Sequence, residues 1–196
     1  EIGLRIFPCR PDDKRPAVND WPNVATSEPA PDWFDGRNVG VRCGYTDLAH
    51  DDGTNLAFFV VDVDVKDEQP GKASWASFCE AYPEVGVAAR STVMVRTPTG
   101  GYHFWFVVPM GWDPPSNGKP WPGVDIRGEG GYVVGPPSRL KLNRGTDDEE
   151  VVRYEWVRDP FDHKVLEAPR ELMEALTQPE PVTAVPVSPQ PAPVER

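Results

Sequence analysis

A buried strand that ends in two carboxylates constrains this chain more than any other feature of its sequence. Residues 56–65 are apolar, rich in β-branched and aromatic side chains, and interrupted only by Asp62 and Asp64. Because side chains alternate between the two faces of a strand, these aspartates project from one face, about 7 Å apart. Two such carboxylates repel each other and are costly to desolvate unless a cation neutralises them. The pattern predicts a divalent metal site whose oxygen ligands favour Mg²⁺ or Mn²⁺ over zinc.

Taken alone, the aspartate pair is more typical of a strand that runs into a solvated acidic turn, and residues 66–69 (Lys-Asp-Glu-Gln) look like such a turn. Two later segments favour the metal site instead. The first, residues 92–108, predicts a β-hairpin with apolar strands on both sides of a Pro-Thr-Gly-Gly turn. In that turn, Gly100 and Gly101 allow a ligand to approach closely, and exposed amides there can bind an anion.

His103 follows this glycine turn directly. Strand alternation places it on the face of Trp105 and opposite to Phe104. A single histidine here is either a structural hydrogen-bonding residue or a phosphate contact. The adjacent glycines give the two interpretations comparable weight.

The second segment, residues 123–138, predicts another short hairpin with a glycine-rich turn that contains Glu129. Asp125 and Arg127 share one face of its first strand. They are either a surface ion pair, which contributes about 0–1 kcal/mol, or a third metal carboxylate and an arginine that reaches a phosphate. The pattern by itself leaves both interpretations open.

Taken in order, the three segments resemble the primase–polymerase (prim-pol) domain of the archaeo-eukaryotic primase superfamily, of the bifunctional DNA primase/polymerase type. Each motif alone is loose, whereas three motifs in this order and spacing are specific. The resemblance covers residues 3–176. The matching positions are 14–17, 21, 25–26, 33, 38–44, 62–64, 100–103, 124–128 and 131–138.

The resemblance implies a role for each matching site residue. The catalytic acids, which would hold two divalent cations (Mg²⁺ or Mn²⁺, with no zinc expected), are Asp62, Asp64 and Asp125. The residues that would bind the incoming nucleotide are Gly100, Gly101, His103, Arg127 and Ser138, with His103 at the triphosphate. Many relatives carry Glu where this chain has Asp64, a difference that bears on metal preference more than on the family assignment.

The resemblance also implies an activity and a fold. The activity would be priming and polymerisation from dNTPs or NTPs on a single-stranded DNA template and primer, in the cytoplasm, during replication of a mobile element or phage. The fold would be α+β, with an RRM-like antiparallel catalytic sheet packed against a smaller amino-terminal αβ subdomain. Three alternatives remain: a gap-filling or lesion-bypass polymerase without priming, a metal-dependent nuclease or phosphodiesterase, and a non-enzymatic module of a replication initiator.

Length and composition set the domain organisation. The 196 residues suit one catalytic domain over residues 1–176, followed by a proline-rich, disordered linker over residues 177–196. The resemblance implies that this linker leads to a downstream helicase or accessory region. No apolar run reaches the about 18 residues of a membrane span, and no signal peptide is recognisable. The three cysteines, Cys9, Cys43 and Cys79, are far apart in sequence, which argues against a disulfide framework or a local zinc site.

Further elements and the charge complete the prediction. Helical spacing of aromatic residues predicts a helix over residues 72–82 that Pro83 ends, residues 151–157 predict a last strand, and residues 169–176 predict a short helix. The net charge of −11 argues against a nucleic-acid enzyme, because template-binding proteins usually carry basic patches. Residues 100–145 nevertheless contain five Lys or Arg against three acids.

Overall fold

Two β-sheets that share a hydrophobic core form the frame of the protein in its computed structural model, which describes residues 2–65, 69–112 and 118–177. These described residues contain four helices and 13 strands, so the fold is α+β, as the family resemblance implies. The helices are α1 (Trp21–Val24), α2 (Gly71–Ala81), α3 (Pro83–Ser91) and α4 (Arg170–Thr177). The strands are β1 (Ile6–Cys9), β2 (Asn38–Arg42), β3 (Gly44–Ala49), β4 (Asn55–Val63), β5 (Met94–Arg96), β6 (Tyr102–Pro109), β7 (Gly118–Trp121), β8 (Val124–Arg127), β9 (Tyr132–Gly135), β10 (Arg139–Leu142), β11 (Glu150–Arg153), β12 (Glu155–Arg158) and β13 (Leu166–Glu167).

The strand β4 lies near the centre of the larger sheet. That sheet has the order β12-β5-β6-β4-β8-β7, with β3 added to β4 and β13 added to β6. Within the described residues, its strand pairs are antiparallel except for β13 with β6. Its inner order, β8-β4-β6-β5, with α2 and α3 connecting β4 to β5, is that of an RRM-like sheet. The predicted hairpin over residues 92–108 is therefore confirmed as β5 and β6.

The two faces of β4 pack into two different cores, because its side chains alternate. Phe59 and Val61 are buried in a core that α2, α3 and α4 cover. Phe58 and Val60 are buried in a second core that the smaller sheet shares. Asp62 continues the alternation of Phe58 and Val60, so its side chain lies on the face toward the smaller sheet.

The smaller sheet has the order β1-β2-β9, and its third strand comes from late in the chain. The prediction of a hairpin over residues 123–138 is therefore wrong. The strand β8 pairs with β4 in the larger sheet, whereas β9 pairs with β2 in the smaller one. Pairing with β2 buries Val133 and Val134 in the core between the sheets, and this burial outweighs the local pairing that a short turn favours.

The chain also changes sheets at Tyr154, from a separate two-stranded sheet of β10 and β11 to the larger sheet. The single strand predicted over residues 151–157 is wrong, because the structure has two strands there, β11 paired with β10 and β12 paired with β5. Tyr154 lies between them and is buried. The sequence pattern alone predicts one continuous strand here. Burial of the Tyr154 ring in the core interrupts that strand.

The helices follow the sequence prediction with two additions, α1 and α3. Pro83 ends α2 as predicted, but it is also the first residue of α3, which the sequence did not indicate. The predicted terminal helix is α4, which includes Thr177. The rest of the predicted linker, residues 178–196, lies outside the described residues. Among the helices described, none is long and apolar enough to cross a membrane.

Candidate active site

Asp62 lies at the centre of a row of polar side chains that crosses three adjacent strands. It is directly opposite His103 on β6 and directly opposite Asp125 on β8. Directly opposed residues of antiparallel strands project from the same face, where their side chains meet. His103 therefore shares its face with Trp105, as predicted, and this face looks toward the smaller sheet.

Arg127 lies between the two opposed aspartates. Its Nε is 3.6 Å from Oδ2 of Asp62, and its Nη2 donates a 2.9 Å hydrogen bond to Oδ2 of Asp125. The ammonium group of Lys119 is 4.0 Å from the other oxygen of Asp125. A guanidinium shared by two carboxylates offsets their mutual repulsion. Asp125 and Arg127 thus form an ion pair, and that pair is also part of the row around Asp62.

Asp64 follows β4 at the edge of the same site. Its side chain is exposed, and its backbone N–H donates a 2.8 Å hydrogen bond to the carbonyl of Gly123. A Cβ atom on Gly71 would collide with the carbonyl oxygens of Asp64 and Gly123, so only glycine allows these backbones to pack together. Asp64 and Asp125 line the same open cavity, which measures about 530 Å³.

The three aspartates fit a hard divalent cation by their chemistry, because they offer only carboxylate oxygens. Asp64 and Asp125 line the solvent-open cavity, and Asp62 lies directly opposite Asp125. In the part of the chain that the structure describes, no three acidic, histidine or cysteine side chains are already grouped as a metal site. Arg127 instead engages Asp62 and Asp125. The donor set is therefore present, and the aspartates must rotate to close around a cation.

His103 is almost completely buried, with 4% of its surface exposed. Its Nε2 is 3.5 Å from Oδ1 of Asp62, and its Nδ1 has no hydrogen-bond partner among the described residues. Burial lowers the pKa of His103, which keeps the imidazole neutral near pH 7 despite the adjacent carboxylate. A buried nitrogen without a partner is costly, and a ligand that supplied one would recover that energy.

A cavity of about 340 Å³ lies beside this histidine, between the two sheets. Its walls combine cations with aromatic rings, a composition that suits a nucleotide. The charged and aromatic side chains of this wall are Lys14, Trp21, His103, Arg127, Tyr132 and Tyr154. Two of the places where the chain changes sheets thus contribute to it, since Tyr132 begins β9 and Tyr154 separates β11 from β12.

The glycine turn abuts the end of β4. A Cβ atom on Gly101 would collide with the carbonyl oxygen of Val63, and Gly100 has a φ of +85° that favours glycine. The Gly100 N–H donates a 2.9 Å hydrogen bond to the Thr97 carbonyl within the turn. The close packing of Gly101 on the strand explains one glycine structurally, and nucleotide binding by the pair stays a prediction.

Ser138 lies apart from the row of charged residues. It is buried, and its hydroxyl accepts a 2.8 Å hydrogen bond from the backbone N–H of Val39, which fastens β2. It is not among the residues that line the cavity beside His103. This contact gives Ser138 a structural function, and its predicted place in the nucleotide pocket stays a prediction.

Sequence reasoning missed the residues that reach the site from a distance in the chain. Tyr132 and Tyr154 enter the cavity only because the chain changes sheets, and Gly71 carries no motif of its own. Lys14 and Trp21 belong to the stretches that resemble the family, and that position was the one available signal for them. The sequence pattern assigned no role to either residue, because both are far from Asp62 in the sequence.

Comparison with known proteins agrees with the motifs. No curated protein matches the sequence. A family model described as the N-terminal domain of bifunctional DNA primase/polymerases matches residues 1–175. This match includes every strand of both sheets and all of the charged residues described above. The chain therefore belongs to the Prim-Pol family of DNA primase/polymerase domains.

Proposed function

We propose that this domain is a DNA-dependent primase and DNA polymerase. It would join dNTPs or NTPs by two-metal nucleotidyl transfer on a single-stranded DNA template. The reaction would serve replication of a mobile element or phage. The observation that carries the proposal is the register of Asp62 against both His103 and Asp125. It brings the carboxylates of Asp62 and Asp125 next to His103, whose Nδ1 has no partner among the described residues, and beside a cavity of about 340 Å³. A downstream helicase region is the proposed partner in a longer protein.

The residues of the row divide the chemistry between them. Asp62, Asp64 and Asp125 would hold Mg²⁺ or Mn²⁺ through carboxylate oxygens. Bound cations would lower the pKa of the attacking 3′-hydroxyl and neutralise charge that develops on the triphosphate. Arg127 would donate hydrogen bonds to phosphate oxygens, from a partly buried position where such contacts are strong. The neutral imidazole of His103 would donate one hydrogen bond, through the ring nitrogen that carries its proton.

One experiment separates the primase-polymerase from the alternatives. The protein is incubated with single-stranded template, labelled dNTPs and Mn²⁺, with and without a primer. Synthesis without primer supports the proposal, and extension only with primer indicates a gap-filling or lesion-bypass polymerase. Shortening of the strands indicates a nuclease. The absence of any reaction indicates a non-enzymatic module of a replication initiator.

The assignment of the carboxylates is tested by Asp62→Asn, with Asp162→Asn as a matched control that removes the same charge from an exposed loop. Asp62→Asn should reduce incorporation by at least about 100-fold, the scale of losing one electrostatic catalytic group. Asp162→Asn should behave as the unchanged protein. Near-normal incorporation by the Asp62→Asn variant contradicts the two-metal site.

A further inference from the structure

We propose that Lys14 is a nucleotide-binding residue whose ammonium group contacts the triphosphate in the cavity between the two sheets. The inference rests on the function proposed above and extends it to the loop between β1 and α1. Lys14 lines that cavity together with His103 and Arg127, although it is far from both in the sequence. Three observations carry the assignment: a fixed backbone, an uncommitted charge and the chemistry of the cavity.

The loop that carries Lys14 is held by its own hydrogen bonds. The Arg10 N–H donates to the carbonyl of Arg15 at 2.8 Å, which closes the loop. Inside it, the carboxylate of Asp13 accepts the backbone N–H of Lys14 at 2.7 Å and also binds the Arg15 side chain. The charge of Asp13 is thus directed to Arg15, and its hydrogen bond to the Lys14 amide fixes the backbone there.

Two side chains fasten the same loop to the smaller sheet. The amide of Asn38, which is buried, donates a 2.8 Å hydrogen bond to the carbonyl of Asp13. The hydroxyl of Tyr132 donates a 3.1 Å hydrogen bond to the carbonyl of Lys14 itself. Tyr132 also lines the cavity, so this bond fixes the Lys14 backbone at the cavity wall.

The charge of Lys14 is not committed to a carboxylate. Arg127 binds Asp62 and Asp125, and Lys119 lies near Asp125, whereas no carboxylate of the described residues lies within 4 Å of the Lys14 ammonium. Lys14 lines the same cavity as His103 and Arg127, so a ligand in that cavity would meet an ammonium group that no carboxylate of the described residues neutralises.

The cavity therefore combines the charged and aromatic groups that would bind a nucleoside triphosphate. A lysine ammonium is a compact point charge with three donors, a common phosphate ligand. Beside it stand the unpartnered Nδ1 of His103 and the rings of Trp21 and Tyr132, which can receive a base or sugar. A nucleotide bound here would contact both sheets, with its phosphates between Lys14 and the row around Asp62.

The test compares Lys14→Gln and Lys14→Arg with a control, Lys164→Gln, which removes the same charge from an exposed loop after β12. Dissociation constants for dATP and for inorganic tripolyphosphate are measured by calorimetry in Mg²⁺. Lys14→Gln should weaken both by about tenfold, the scale of one charge-assisted hydrogen bond. Lys14→Arg should retain most of the affinity, and Lys164→Gln should match the unchanged protein.

The outcomes keep this inference separate from the proposed function. If the unchanged protein binds dATP and extends primers while Lys14→Gln binds dATP equally well, the assignment of Lys14 is overturned and the function stands. An equal loss in Lys164→Gln also overturns it, because bulk charge would then explain the effect. If the unchanged protein neither binds dATP nor incorporates it, the proposed function fails, and the inference about Lys14 fails with it.

Discussion

His103 combines burial, neutrality and an unpartnered nitrogen, and each property comes from its place on β6. Oδ1 of Asp62 lies 3.5 Å from its Nε2, whereas its Nδ1 has no partner among the described residues. Unpaired buried polar groups are destabilising, and three other buried side-chain nitrogens, in Arg5, Arg42 and Trp105, share this property. Because His103 also lines the cavity, we propose a ligand-binding role for it over a purely structural one.

Substitution of His103 tests that distinction. We expect His103→Ala to weaken dATP binding by about tenfold, on the scale of one charge-assisted hydrogen bond to phosphate. The affinity for Mn²⁺, which the aspartates would bind, should change little. Calorimetric titration with dATP and with Mn²⁺ measures both quantities. If folded His103→Ala protein binds dATP as tightly as the unchanged protein, the histidine is structural.

The cysteines provide a test of burial at the residue scale. Burial raises the pKa of Cys79 to about 11 and the pKa of Cys9 to about 12, and it also raises the pKa of Cys43. Thiolates are the reactive species, so alkylation of the folded protein near pH 8 should be slow. It should accelerate about tenfold per pH unit, and unfolding in urea should remove the protection.

The same shifts fix the sign of a pH effect on stability. The thiols keep their protons in the folded state at pH values where the unfolded chain releases them, above about pH 8.5. The free energy of unfolding should therefore fall as the pH rises above that value, toward about 11, the pKa of Cys79. Urea titrations at a series of pH values measure it. Rapid labelling at pH 8 without denaturant would show that these thiols are exposed.

At the scale of elements, the junction between the glycine turn and β4 sets where the carboxylates lie. The strand ends at Val63, one residue before Asp64, and Gly101 packs directly on the Val63 carbonyl. On the other side, Gly71 and Gly123 hold the Asp64 backbone in the same way. The position of Asp64 at the end of β4 thus depends on the close backbone contacts of three glycines.

Two neighbouring substitutions test this junction against simple backbone strain. Gly101→Ala places a methyl group on the Val63 carbonyl, and we expect it to lower the free energy of unfolding by about 2–3 kcal/mol, as overpacking does. Gly100→Ala has space but a positive φ, so it should cost only about 1 kcal/mol. Thermal and urea unfolding measure both. Equal losses would mean that turn conformation, and not the contact with β4, requires the glycines.

On the scale of the whole molecule, the acidic charge sets how the domain holds DNA. The net charge is −11, and in the described residues Arg127 and Lys119 near the site face Asp125. Each phosphate contact adds about −0.7 to the slope of log affinity against log salt for single strands. Few contacts are available, so the domain alone should bind single-stranded DNA weakly.

We therefore expect a salt slope shallower than about −3, with affinity that increases when Mn²⁺ and dNTP neutralise the aspartates. Fluorescence anisotropy with labelled single-stranded DNA at several salt concentrations measures the slope. A second series with Mn²⁺ and dNTP isolates the contribution of the three aspartates to DNA affinity. Tight binding with a steep slope in the absence of metal would contradict this account of the surface.

The local features of this protein could be predicted because they depend on alternation along a strand. The apolar run that becomes β4, the shared face of His103 and Trp105, and the hairpin of β5 and β6 all follow from residues close in sequence. Three motifs in order also identified the family that the comparison then showed. Short-range chemistry was enough for each of these conclusions.

Strand pairing over long distances was decided only by the tertiary structure. The sequence alone favours pairing β9 with β8 across a short turn, yet β9 pairs with β2 because that arrangement buries Val133 and Val134 between the sheets. The same choice brings Tyr132 and Lys14 to the cavity beside His103. Which strands pair depends on the free energy of packing the whole core. A local sequence pattern cannot predict that free energy, because it depends on residues far apart in the chain.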